Sequence, residues 1–355
     1  MNKAMTLACG SCAVENAFKM AFIRKATQLR GGHYDFKPEE FSSCMKNQSP
    51  GCGNDLQIMS FRGGFHGRTH GALSATRSKA IHKLDIPAFE WPMADFPILK
   101  YPLDAYEAEN AAEEQRCLDH ARELFDVAKE NGKAIAGMII EPVLSEGGDL
   151  HASHDFFRKL RQIALEQDCA FIVDEVQTGV GTSGTMWAHE QWGLQTPPDL
   201  MTFSKKALTG GFYYGDHMTL HQGFRVFNTW MGDPTKALQL KVVLETMERD
   251  NLLENVKVAG EELQSILKEF EKAGLIQNVR GFAAIQAFDC NSPEERTELR
   301  KALISRGVLV GQSGDRSIRF RPALIFTPEH ARQFGQALEE CFEVVTNKVT
   351  SSVSA

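Results

Sequence analysis

Thr202-Phe203-Ser204-Lys205-Lys206-Ala207-Leu208-Thr209-Gly210-Gly211 starts within an extended run, Leu200 to Ser204, and ends in two glycines. Two lysines therefore sit where a strand gives way to a loop. Upstream, Ala170-Phe171-Ile172-Val173-Asp174-Glu175 is a second junction, an apolar run stopped by two acids. Strand ends of an α/β sheet converge on one crevice, so a carboxylate and a lysine placed this way can meet. The chemistry that uses both is a Schiff-base lysine with an aspartate facing a pyridinium nitrogen. The bland alternative is a pair of solvated lysines and a helix-capping Asp174-Glu175, and these residues alone do not exclude it.

The neighbouring segments supply the sheet. Ala134 to Ile140 reads as a buried strand closed by Glu141-Pro142; Glu146-Gly147-Gly148-Asp149 follows, then a helix from about 153 to 167 and the Asp174 strand. This strand–loop–helix–strand rhythm implies right-handed crossovers and a mainly parallel sheet, the α/β class. Gln57 to Phe61 reads as another strand, followed by Arg62-Gly63-Gly64-Phe65-His66-Gly67-Arg68-Thr69. There the glycines let the backbone approach a ligand, Phe65 offers a flat face and Arg68 a guanidinium that can grip a carboxylate through two bonds. A surface turn with a solvated arginine fits equally. Leu7-Ala8-Cys9-Gly10-Ser11-Cys12 leads into a helix over Ala13 to Leu29, and a small-residue loop opening a helix is a natural phosphate seat.

The remaining segments read as follows. Residues 33–56 form an irregular polar insertion, and 77–118 are loop-rich, with Pro87, Pro92, Pro97 and Pro102, before a charged helix through Lys129. An aromatic-rich loop follows Gly211. Helices are expected over 234–249, 254–272, 293–306 and 328–347, with strands over 278–288 and 308–321. That pattern predicts a large domain over 1–232 and a smaller α+β domain over 233–355. Arg316, Arg319 and Arg321 fall along one strand, where successive side chains point to opposite faces, so Arg319 faces away from Phe320. A Ser-rich tail occupies 350–355.

Composition bounds the function. The 355 residues are 43% hydrophobic and 24% charged, with a net charge of −7, which gives no reason to expect nucleic acid as a partner. The apolar runs are too short to cross a bilayer, and no targeting peptide is visible at Met1. Of the eight cysteines, only Cys9 and Cys12 have ligand-like spacing. They are packing thiols, a redox pair, or half of a metal or iron–sulfur site completed by a second copy of the chain.

Together the motifs resemble class III pyridoxal-phosphate aminotransferases. The residues are Asp174-Glu175-Val176-Gln177-Thr178-Gly179, Phe65-His66-Gly67-Arg68-Thr69, Glu141-Pro142 and the lysine–Gly-Gly segment. Within that family the chain is more similar to the 4-aminobutyrate aminotransferases of eukaryotes. That likeness runs through Ala8-Cys9-Gly10-Ser11-Cys12, His82-Lys83-Leu84-Asp85-Ile86-Pro87, Ser145-Glu146-Gly147-Gly148-Asp149, Phe227-Asn228-Thr229-Trp230 and Gly314-Asp315-Arg316-Ser317-Ile318-Arg319-Phe320-Arg321-Pro322. It covers almost the whole chain.

The resemblance implies a fold type I pyridoxal-phosphate-dependent transferase and assigns roles. Lys205 would carry pyridoxal 5'-phosphate as a Schiff base; a lysine with Gly-Gly four residues on fits Lys206 instead, but the Thr-Phe-Ser-Lys-Lys match favours Lys205. Asp174 would pair with the ring nitrogen, Phe65 and Val176 would sandwich the ring, and Gln177 would bond its phenolic oxygen. Gly10 and Ser11 would hold the phosphate, joined by Thr229 from the other subunit of a homodimer. Arg68 would take the distal carboxylate and Arg319 the α-carboxylate of 2-oxoglutarate, with Glu146 pairing Arg319 when no such carboxylate is present. Cys9 and Cys12 would supply half of a [2Fe–2S] cluster shared across the dimer.

The implied reaction moves the amino group of 4-aminobutyrate to 2-oxoglutarate in the mitochondrial matrix. Another ω-aminotransferase acting on β-alanine or ornithine, or an inactive partner of a longer enzyme, are the alternatives. Two departures from the family pattern stand out. Val14 occupies a place where a polar residue is expected near the phosphate loop. The family also carries a long segment ahead of the cysteine pair, so the resemblance implies an N-terminally truncated chain, with poor solubility or low activity expected of these residues alone.

Overall fold

The structure, a computed structural model, describes residues 1–353, with side chains described through residue 342; the end of the Ser-rich tail, Ser354-Ala355, lies outside the described residues. In chain order the elements are β1 (Lys3–Leu7), α1 (Gly10–Leu29), α2 (Pro38–Cys44), β2 (Leu56–Phe61), α3 (His70–Ala75), β3 (Met93–Ala94), α4 (Glu107–Glu130), β4 (Ala134–Ile140), α5 (His154–Glu166), β5 (Ala170–Asp174), β6 (Leu200–Phe203) and β7 (Gly210–Tyr214). There follow α6 (Pro234–Arg249), α7 (Leu252–Lys272), β8 (Gln277–Phe282), β9 (Ile285–Asp289), α8 (Pro293–Ser305), β10 (Gly311–Ser313), β11 (Ser317–Phe320) and α9 (Pro328–Val353).

A seven-stranded sheet runs in the order β1-β7-β6-β5-β4-β2-β3. The five strands from β3 to β6 pair in parallel, as expected for apolar runs buried on both faces. One face packs on α1 through Ala13, Val14, Ala17 and Phe18; the other packs on α4 and α5 through Leu118, Phe156 and Leu160. Val14 is thus a buried core residue between α1 and the sheet, which accounts for its apolar character. Ser153 caps α5 by accepting from Phe156 N.

A second sheet, all antiparallel and ordered β10-β11-β9-β8, is backed by α7, α8 and α9 around Leu263, Phe288, Ile318 and Leu338. Met247, Leu252, Val256 and Leu324, all beyond residue 233, nevertheless pack into the core of the large sheet.

Several expectations are corrected. The aromatic stretch after Gly211 is β7, antiparallel to β6, because Phe212 is buried and its backbone pairs on both sides, with β1 as the other neighbour. The insertion at 33–56 contains α2, started by Pro38 at its first turn and by Glu40 reaching back to Lys37 N. The strand expected over 278–288 is the hairpin β8–β9, and that over 308–321 is the hairpin β10–β11.

Candidate active site

Three adjacent parallel strands present chemistry at their carboxyl ends: Glu141 just after β4, Asp174 closing β5, and Lys205 just after β6. Asp174 is buried and held on both oxygens. His66 Nδ1 lies 2.8 Å from Oδ2, while Thr202 Oγ1 (2.9 Å) and Val176 N (3.1 Å) donate to Oδ1. Three of the roughly four acceptor sites of the carboxylate are used, leaving room for one further donor.

Glu141 is buried too and accepts the Phe65 N–H at 2.8 Å. Burial, and then the charge of Asp174, push its carboxyl up to about 8. The Lys205 side chain opens to the crevice, but protein atoms crowding its amine push that amine below the usual lysine range, against the pull of Glu141 and Asp174. Its backbone is left-handed, φ 45°, a conformation that non-glycine residues rarely hold without a reason. Lys206 turns the other way and donates to Pro322 O at 3.0 Å.

The first turn of α1 faces this group. A Cβ at Gly10 would lie 2.8 Å from Val176 Cγ1, so only glycine lets the helix start close on Val176. A Cβ at Gly67 (φ 120°) would lie 2.4 Å from Ser11 Oγ, and that hydroxyl accepts the Arg68 N–H at 3.3 Å. The free N–H groups of a helix start, lined by Gly10 and Ser11, form a cradle for an anion. Arg68 lies over the Phe65 ring at 5.6 Å and reaches His82 Nε2 at 3.3 Å. Burial, then Arg68 and Lys79, hold His82 below the usual histidine range, so the neutral ring can accept from Arg68.

On the small-sheet side, Arg319 Nη2 lies 2.5 Å from Glu146 Oε1. Burial opposes ionisation of Glu146, but Arg319 and then Lys79 outweigh it and keep the carboxyl below its usual range. Arg321 bonds Gln177 Oε1 at 2.9 Å and Ser145 Oγ at 3.2 Å, and also grips the buried Asp149. With its oxygen taken, Gln177 has its amide nitrogen left to donate. The structure thus brings together Lys205, Asp174, Gly10, Ser11, Phe65, Val176, Gln177, Arg68, Glu146 and Arg319.

Thr229 and the thiols of Cys9 and Cys12, which flank Gly10 and Ser11, make no hydrogen bond to this group among the described residues. Thr229 is exposed, on a segment whose Asn228 Nδ2 lies 4.0 Å from Cys12 Sγ. Cys9 Sγ and Cys12 Sγ are 3.6 Å apart as free thiols, and burial, then Cys9, push the Cys12 thiol up. No cluster of three or more metal-ligating side chains occurs among the described residues. His66, Thr202 and Arg321 had no assigned role from sequence, although His66 and Arg321 lie in motifs that carry the resemblance and Thr202 opens the lysine stretch.

The sequence matches the family model for aminotransferase class-III over residues 1–342. It is 48% identical to the mitochondrial 4-aminobutyrate aminotransferase of Sus scrofa, over 94% of this chain and 67% of that protein. The 4-aminobutyrate aminotransferase of Dictyostelium discoideum gives the same figures. The chain thus spans about two thirds of the length of these relatives. Among solved structures, the lysine aminotransferase of M. tuberculosis superposes with a TM-score of 0.84 at 30% identity, over 96% of this chain and 75% of that one. With its lysine and aspartate beside a glycine-lined helix start on a mainly parallel sheet, the chain belongs to the class-III aminotransferases.

Proposed function

We propose that the chain transfers the amino group of 4-aminobutyrate to 2-oxoglutarate, giving succinic semialdehyde and glutamate, with pyridoxal 5'-phosphate as cofactor. The observation that carries this reading is the convergence of Lys205, Asp174 and the Glu146–Arg319 pair on one crevice. The relatives' names supply the substrate, and the unused acceptor site of Asp174 and the glycine cradle at Gly10 and Gly67 fit the cofactor.

When bound, the cofactor supplies an aldehyde that takes up the amine and a pyridinium ring that accepts an electron pair. Lys205 Nζ would attach it and would hold and move the proton of the substrate carbon; a lowered amine pKa leaves more of the neutral base available. Asp174, fixed by His66, Thr202 and Val176 N, keeps a proton at the ring nitrogen. Gly10, Ser11 and the α1 N–H groups hold the phosphate, with Thr229 contributed by a second copy. Phe65 and Val176 would flank the ring, and Gln177 would donate to its phenolic oxygen through the amide nitrogen that Arg321 leaves free.

Arg68 binds the carboxylate that both substrates share. Arg319 binds the second carboxylate of 2-oxoglutarate once Glu146 leaves it. A buried arginine left unpaired costs several kcal/mol, so masking it with Glu146 makes it available only when a replacement anion arrives.

The proposal extends to a homodimer in the mitochondrial matrix, divided at residues 232/233 into a large and a small domain. Exposed Phe224, Phe227 and Trp230, on the segment carrying Thr229, favour a second copy. A [2Fe–2S] cluster between two copies would draw two thiols from each. Two thiolates on one tetrahedral metal, with bonds of about 2.3 Å, stand about 3.8 Å apart, close to the 3.6 Å between Cys9 and Cys12. Iron and labile sulfide in purified protein, lost together in Cys12→Ala, is the expected result; an active iron-free dimer rejects the cluster.

The principal test is the visible spectrum of the purified chain loaded with cofactor. Adding 4-aminobutyrate should bleach the band and 2-oxoglutarate should restore it. No response to 4-aminobutyrate, with a response to β-alanine or ornithine, rejects the substrate assignment.

A further inference from the structure

Glu146 does not face Arg319 alone. Its Oε1 sits 2.5 Å from Arg319 Nη2, while its Oε2 lies 3.6 Å from Nζ of Lys79. Lys79 comes from the segment after α3, across the crevice from β11, and its side chain is about one third exposed, 36%. One carboxylate therefore stands between two cations that belong to different walls of the site. At 3.6 Å and partly in solvent, the Lys79 contact contributes little while Arg319 is engaged.

The backbone that carries Glu146 has little freedom. Ser145 O accepts from Arg319 Nη1 at 2.9 Å and also from the Ser313 hydroxyl. Gly148 N donates to Ser313 Oγ at 2.9 Å, and Gly148 O accepts from Arg280 at 2.7 Å. Arg280 also bonds Asp149 O, and Arg321 holds the Ser145 and Asp149 side chains. With residues 145, 148 and 149 tied to the small sheet, Glu146 can change partner by side-chain rotation alone. A carboxylate pushed off Arg319 needs a counter-ion, because leaving it unpaired in a part-buried site is costly. Lys79 is the cation already in reach.

We infer that Lys79 is a specificity-determining residue, which receives the Glu146 carboxylate when an incoming carboxylate takes Arg319 and so lowers the cost of admitting a partner with two carboxylates. The inference rests on the aminotransferase reading above, with Glu146 masking Arg319. It differs from a role in gripping substrate directly, which would affect one-carboxylate and two-carboxylate partners alike.

The test uses the cofactor-loaded protein and follows the two half-reactions separately by single-turnover absorbance. Calorimetric binding of glutarate and butyrate serves as a readout independent of turnover. Lys79→Gln should weaken 2-oxoglutarate and glutarate roughly two- to fivefold, the span expected of a partly exposed ion pair, and leave 4-aminobutyrate and butyrate within experimental error. Lys79→Arg should restore the dicarboxylates. In a Glu146→Ala background, Lys79→Gln should have no further effect, because the group it serves is gone.

Equal weakening of both substrate classes, no effect on either, or an undiminished effect in the Glu146→Ala background would each overturn the inference. Glu146→Ala alone reads the switch beneath it. If selectivity between 4-aminobutyrate and α-amino acids does not change there, the masking reading fails as well. If it does change while the Lys79 effect stays additive, only the role of Lys79 falls.

Discussion

His66 Nδ1 lies 2.8 Å from Asp174 Oδ2, with both side chains sealed from solvent. The pair fixes the face that Asp174 presents to the crevice. His66→Ala should therefore weaken cofactor retention about tenfold or more, the scale of a lost hydrogen bond to a charged group. His66→Asn, which can still donate, should recover part of the loss. Absorbance titration of the unloaded protein with cofactor checks both.

Adjacent lysines should give opposite phenotypes. Borohydride reduction and peptide mapping should find the adduct on Lys205 and none in Lys205→Ala. Lys206→Ala should keep the adduct and lose about 1 kcal/mol of stability, the worth of its bond to Pro322 O. An adduct on Lys206 would reverse the assignment.

Glu141 gives a pH signature. Its carboxyl titrates at 4.5 when unperturbed and is pushed up to about 8 in the fold, by burial and then by Asp174. Between those values the folded chain binds a proton that the unfolded chain does not. The residue's contribution is thus complete below pH 4.5 and is lost as pH rises through about 8. Glu141→Gln keeps an oxygen for the Phe65 N–H and cannot ionise. Its melting temperature, measured without cofactor, should fall less than wild type across this window and exceed it above pH 8.

Arg321→Met should be the most damaging change to stability. It strands Asp149, which is fully buried and already pushed towards protonation by that burial despite Arg321. Breaking such a pair from one side costs about 3–5 kcal/mol, readable in a denaturant melt. Arg321→Met with Asp149→Leu should regain much of it.

The parallel strands were legible because each is a short apolar run between turn residues, and Asp174 and Lys205 fall where such runs stop. The antiparallel margin was not. Phe212-Tyr213-Tyr214 is bracketed by glycines and reads as a loop until β1 is seen to pair with it, a contact across some 200 residues. The Arg319–Glu146 pair could be anticipated only from family likeness, since nothing local joins residues 173 apart. The attachments of His66 and Arg321 escaped for the same reason. A buried histidine or arginine announces that it needs a partner, but the partner's identity belongs to the tertiary fold.

The segment from Ser145 to Asp149 is bolted down by Arg280, Ser313, Arg319 and Arg321. Alternation between two different amino-group carriers then requires no flap to open and shut at that place. On the proposed reading, rotation of one glutamate side chain from Arg319 towards Lys79 suffices. A gate of that kind can be retuned by substitutions that leave the scaffold alone.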